Sequence, residues 1–156
     1  MSDFDEFQFA FDHVEKLLDR RQQTTTFYLT VNTGIFAAIG LLVKDARLPE
    51  AGLTGAILLL LCAGFIACWI WRSLLGQYEI LVGWWYERLR ELEAVRSESA
   101  RLITREYDDF YAPGAKSKKR LGMTKLERWL NWVFTGLYIA FAIGIALNCL
   151  LRAWVP

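Results

Sequence analysis

One histidine, three prolines and three cysteines are all that the 156 residues contain. His13 has no second histidine to pair with, which removes the paired-imidazole metal motifs, and the chain carries no HExxH, GxSxG, CxxC or phosphate-binding glycine loop. No nucleophile with a base, no paired carboxylates and no ligand cluster come within a motif's reach. The chain is expected not to be an enzyme and to need no cofactor or metal, and His13 reads as a surface or interhelical residue. The odd cysteine count gives no disulfide framework. Cys62, Cys68 and Cys149 instead fall in apolar stretches, where a small polarizable side chain packs well.

Charge is missing from three places. The chain is 22% charged, with 18 basic and 17 acidic residues, yet 24–43, 51–71 and 132–151 hold no Asp, Glu, Lys or Arg. Each is long enough to cross a hydrocarbon core of about 30 Å at about 1.5 Å per helical residue. A soluble three-helix core would carry polarity on one face of each helix, and 51–71 offers only Thr54 and two cysteines. The expected fold is therefore all-α, with three transmembrane helices. A cleaved signal peptide is not expected, because Met1 to Arg21 is polar and acidic. Near-zero net charge argues against nucleic-acid binding. The absence of ionisable groups within the spans argues against proton- or ion-coupled transport.

Fifteen of the 18 basic residues fall in 1–23 and 72–131, leaving only Lys44, Arg47 and Arg152 opposite. The positive-inside rule then puts the amino terminus in the cytoplasm and the 44–50 hairpin and 152–156 tail outside. In a bacterium this is the inner membrane.

Residues 1–23 predict an amphipathic helix with a seam at Phe4, Phe7, Phe11, Val14 and Leu18, spaced alternately by three and four. Ser2 and Asp5 resemble a capping box. The rest of the helix is mostly acidic, so a partner helix suits it better than anionic lipid. No proline lies between Pro49 and Pro113, so the second span can continue as a stalk over 72–111. Its stripe is Tyr78, Leu81, Trp85, Leu89, Leu92, Val95, Ser99 and Leu102, with the pairs Arg88–Glu91 and Arg90–Glu93 on other faces. Gly76 and Gly83 are points where it could bend. A loop over 112–123 carries Lys116, Lys118, Lys119 and Arg120, read as a positive-inside anchor. A short amphipathic helix over 124–131, opened by Thr124 and Glu127 as a capping box, leads into the third span.

The spans are not uniformly apolar. Thr30, Asn32 and Thr33 lie within the first, and Asn148 within the third. Such groups serve equally as interhelical hydrogen-bond partners or as the wall of a water-filled lumen built from several copies. Gly34 with Ala38, and Gly136, Ala140, Gly144 and Asn148, recur at four-residue intervals as faces for close helix packing. Three thin helices leave one protomer little interior, so self-assembly around a cytoplasmic collar is the expected solution.

The string Asp19-Arg20-Arg21-Gln22 leading into Phe27-Tyr28-Leu29-Thr30-Val31-Asn32-Thr33 resembles the opening of the RipA-family octameric small membrane proteins. Trp71-Arg72 with Gln77-Tyr78, and Thr124-Lys125-Leu126-Glu127, resemble that family too, and the resemblance runs over about residues 11–147. It implies an inner-membrane octamer with a cytoplasmic helical region, similar in architecture to the membrane-pore accessory protein of CRISPR defence systems. The Arg-x4-His ribonuclease signature discussed for such proteins is absent, since Gln8 stands five residues before His13. The two-span SLATT effectors share the span-span-helix order but lack the third span.

The expected function is a homo-oligomeric pore in the lipid bilayer, acting as a membrane-permeabilising stress or antiphage effector. Thr30, Asn32 and Thr33 would line the lumen, and Arg20, Arg21 and Arg72 would ring its cytoplasmic mouth. The alternative is a non-conducting scaffold whose cytoplasmic helices dock an effector partner.

Overall fold

The computed structural model describes residues 3–44, 49–95, 101–110 and 123–154. They form four helices and, among the described residues, no strand: α1 (Asp3–Lys44), α2 (Glu50–Val95), α3 (Leu102–Phe110) and α4 (Met123–Trp154). Three are long and apolar enough to cross a membrane, over Asp5–Lys44, Gly52–Val95 and Lys125–Arg152. The amphipathic segment and the first span are one 42-residue helix, and the short helix expected over 124–131 is the first part of α4. The Ser2 cap, the hairpin tip at 45–48, Ser99 of the stalk stripe and the basic run Lys116–Arg120 lie outside the described residues, as do the side chains of Phe4 and Thr124.

The chain divides into two compact units, Met1–Gln23 with Leu75–Leu126 and Thr24–Leu74 with Glu127–Pro156. In the first, Ala10, Val14 and Leu89 form a buried cluster, flanked by Phe7, Trp85, Tyr86, Leu92 and Ile103. The seam on α1 is rotated from the expected one. Phe11 and Leu18 are exposed, while Ala10, Val14, Leu17 and Arg21 are buried. Both sets step by three and four, so periodicity fits either; the small Ala10 sits in the cluster with Leu89, leaving a large Phe11 outside.

The stalk expected over 72–111 is two helices, not one. Arg101 adopts a left-handed conformation, φ 47°, which costs a non-glycine residue about 1–2 kcal/mol, and α3 starts after it. A helix start leaves its first N–H groups without partners, and Arg101 cannot cap them with a side-chain oxygen. Glu93 of α2 does so instead. Its carboxylate accepts from the Ile103 amide at 3.0 Å, the Thr104 amide at 2.9 Å and the Thr104 hydroxyl at 2.8 Å. The expectation that Glu93 decorates an outer face is thus corrected: it is buried. Burial pushes its carboxyl pKa up, but these hydrogen bonds outweigh that and hold it below the usual carboxylate range. Arg90 lies over the Tyr107 ring, 3.9 Å from its centroid. Arg88 does pair with Glu91 as spaced, at 3.0 Å, and also reaches Glu6 of α1 at 3.0 Å.

In the second unit, Ile39, Ile57, Leu61, Cys68 and Tyr138 form the buried cluster, extended by Ile35, Phe36, Leu53, Phe134 and Ile145. Apolar burial alone contributes little specificity between helices in lipid, because acyl chains are as apolar as leucine. Polar contacts and close packing must fix the register of α1, α2 and α4.

Candidate functional site: a polar lock and an exposed hydroxyl stripe

The register is fixed around Asn32. Its side chain is 0% exposed; its Nδ2 donates to the Tyr28 carbonyl one turn earlier at 2.7 Å. Its Oδ1 accepts from the Tyr138 hydroxyl of α4 at 2.8 Å and from the Cys68 thiol of α2 at 3.3 Å. Asn131 of α4 closes the ring by donating to the Cys68 carbonyl at 2.9 Å, and the Thr135 hydroxyl donates to the Asn131 carbonyl. One amide therefore ties three helices. Buried polar groups in an apolar medium demand such partners.

Aromatic rings and one glycine complete the lock. Phe36 stacks on Tyr138 at 4.6 Å and 15°, and Tyr28 lies parallel to the buried Trp71 at 6.1 Å and 7°. The phenol of Tyr138 occupies the place a Cβ on Gly64 would take, so a methyl there would overlap the ring. Nearby, the Thr25 hydroxyl donates to the buried Glu127 carboxylate at 3.1 Å, and Arg72 lies over the Trp132 ring, 4.3 Å from its centroid.

The expected lumen residues separate. Asn32 is sealed in the protomer's own core, which removes it from any surface; its amide is an interhelical tie. Thr30 and Thr33 are exposed, and Thr30 donates to the Thr26 carbonyl at 2.9 Å. Of the expected mouth residues, Arg20 and Arg72 are exposed and Arg21 is buried. The small-residue faces are not used inside the protomer: Gly34, Gly136, Ala140, Gly144 and Asn148 are exposed, and Ala38 is half-buried. An added Cβ at Gly34, Gly136 or Gly144 meets nothing.

A stripe emerges on α1. Thr26, Thr30, Thr33, Ala37 and Gly40 alternate by four and three residues, share one helix face, and are all exposed. They are hydroxyl-bearing or small. Large apolar groups are exposed at Leu58, Leu59, Phe65, Ile66 and Trp69 on α2, at Ile139, Phe141, Ile143 and Leu147 on α4 beside its small exposed face, and at Phe27, Leu41 and Val43 on other faces of α1. Those large apolar groups suit lipid contact, whereas the α1 stripe is poor in the surface that lipid favours. Sequence reading missed Tyr138, Asn131 and Gly64. The isolated phenol and glycine within charge-free stretches were the available signals.

Three apolar spans tied by a buried polar centre, with small and hydroxyl-bearing faces left uncovered, define a small polytopic helical membrane protein suited to packing against further helices. The chain belongs to the octameric membrane protein family (8xMP), which it matches over residues 4–147. No curated protein and no solved structure matches it.

Proposed function

We propose that the chain assembles into a homo-octameric pore of the bacterial inner membrane, its lumen lined by the exposed α1 face from Thr26 through Thr30, Thr33 and Ala37 to Gly40. The observation that carries this reading is that Thr26, Thr30 and Thr33 put three exposed hydroxyls on one face of α1, while Thr54 of α2 and Thr135 of α4 are half-buried. In a ring of protomers the face least suited to lipid turns inward, toward the axis. Asn32 holds the protomer together behind that wall. The family's name supports the subunit number, and the distribution of basic residues supports a cytoplasmic amino terminus and an external carboxy terminus.

Hydroxyls without fixed charge give a lumen that passes small solutes down their gradients rather than a charge-filtering ring. The resemblance to the CRISPR accessory pore supports a triggered, membrane-permeabilising role in stress or phage defence. Reconstitution into liposomes tests the reading: wild type releases entrapped ions or dye, and Thr30→Leu with Thr33→Leu reduces release while the octamer persists. No release under any trigger sinks it.

A second reading has its own support. Phe9, Ile80 and Trp84 in the first unit stay exposed although they lie outside the charge-free stretches, so a cytosolic surface there needs a cover. Neighbouring copies in the octamer provide one; a scaffold would use the same surface for an effector protein. Pull-down from native membranes separates the two, since only the scaffold requires a heterologous partner.

A further inference from the structure

A groove with about 2040 Å³ of empty space opens among α1, α2 and α4 within the second unit. Ile39 and Val43 wall it on α1 and Leu58 on α2, and along α4 it runs from Leu137 to Arg152, about 22 Å at about 1.5 Å per residue. Ala140 and Gly144 form part of its α4 wall, and a Cβ added at Gly144 meets nothing. Small residues of this kind let the backbone of another helix come close.

We infer that this groove seats α1 of the next copy in the ring, through the face that carries Gly34 and Leu41. The inference rests on the octameric ring proposed above, with the α1 stripe toward its axis, and does not require that the ring conducts. Size fits a helix: a cylinder about 10–12 Å across and of the groove's length fills about 1,700–2,500 Å³. Position fits as well. Around α1, Ile39 and Val43 fall on one side of the stripe of Thr30, Thr33 and Ala37, and Gly34 and Leu41 fall on the other. With the stripe inward, one flank therefore carries the groove and the opposite flank meets a neighbour, as a closed head-to-tail ring requires. Leu41 is 67% exposed; on a helix that faces the lumen it is cut off from lipid and needs protein to cover it. Asn148 puts an amide on the groove wall within the charge-free stretch 132–151, and a helix can offer it a hydrogen bond that an acyl chain cannot. Depth agrees too. Leu41 stands three residues before Lys44, and Cys149, which lines the groove, three before Arg152. Each lies about 4.5 Å inside the end of its charge-free stretch, and rotation about the membrane normal preserves depth.

The test is disulfide cross-linking of the full-length protein in membranes. In a Cys62→Ala background that keeps the native, exposed Cys149, Leu41→Cys is expected on oxidation to give a ladder of bands from dimer to octamer, because every copy then offers one thiol to each neighbour. Removing Cys149 should abolish the ladder, and Leu59→Cys in place of Leu41→Cys should give none. Gly144→Leu should fill the groove and break the octamer into smaller species by light scattering, and Ala140→Leu serves as an independent filling variant should Gly144→Leu not fold. No band above the dimer from intact Leu41→Cys octamers, or an equal ladder from Leu59→Cys, overturns the inference. So does an intact octamer in a folded filling variant, which would leave the groove to lipid. Dye release from liposomes of the same preparations is read separately: a ladder without release contradicts only the pore, and release without a ladder contradicts only the seating of α1.

Discussion

The Asn32 amide oxygen accepts a hydrogen bond from the Tyr138 hydroxyl at 2.8 Å, joining the first and last spans across 106 residues of chain. Interhelical hydrogen bonds in membranes contribute about 0.6 kcal/mol on average and up to about 1.7. Tyr138→Phe should therefore destabilise the protomer by about 0.6–1.7 kcal/mol, because the ring and the Cys68 donor to Asn32 both stay. Asn32→Leu should cost more, since it leaves the Tyr138 hydroxyl buried without its acceptor. Unfolding in detergent micelles, run as a double-mutant cycle, measures the coupling; independent effects of the two changes would contradict the lock.

Gly64 is small because Tyr138 fills its missing side chain. Gly64→Ala should cost about 1–3 kcal/mol through overpacking, a large effect for a single methyl. Combining it with Tyr138→Ala should recover part of that loss, since the obstructing ring is gone. Thermal unfolding of the four proteins checks this, and simple additivity would count against the close approach.

The Glu93 carboxylate that caps α3 gives the first unit an acid-sensitive joint. Its folded pKa is depressed, so its contribution is present above the unfolded carboxylate value and is lost as pH falls through the lower folded value. Hydrogen exchange at the Ile103 and Thr104 amides should be slow at neutral pH and protection should drop in acid, beyond the intrinsic change in exchange chemistry. In Glu93→Gln the protection should already be weak at neutral pH and show little further dependence.

Ile80 and Trp84, one helical turn apart on α2, are 76% and 57% exposed. If neighbouring copies cover them, Ile80→Glu with Trp84→Glu should convert the octamer to smaller species while helix content stays constant. Light scattering of the detergent-solubilised protein reads the outcome. An intact octamer would transfer that surface to a heterologous partner.

The absence of charge over 24–43, 51–71 and 132–151 made the three spans legible, because lipid penalises ionisable groups so heavily that composition alone locates them. Side-chain direction was less accessible. Phe11 and Ala10 both fit a three-four seam, and only packing against Leu89 decides between them. Asn32 was visible as a polar group in an apolar run, but whether it faces a lumen or a neighbour depends on Tyr138, far along the chain. The end of α2 was missed because no proline or glycine stands near Val95, and the α3 start rests on a cap from Glu93, ten residues before Ile103, rather than on a capping residue next to it. Thr30 and Thr33 were legible as candidates, while the stripe they form with Thr26, Ala37 and Gly40 needed the exposure of each position.

The most direct measurement of the pore account is substituted-cysteine block of conductance. In a Cys62→Ala, Cys149→Ala background that keeps the buried Cys68, Thr33→Cys and Leu59→Cys would each be treated with a membrane-impermeant charged thiosulfonate during planar-bilayer recording. The account predicts that modification at position 33 sharply reduces current, while position 59, on the lipid-facing side of α2, gives no change. Block at position 59 with none at position 33, or no current from the octamer in any protein, would contradict it.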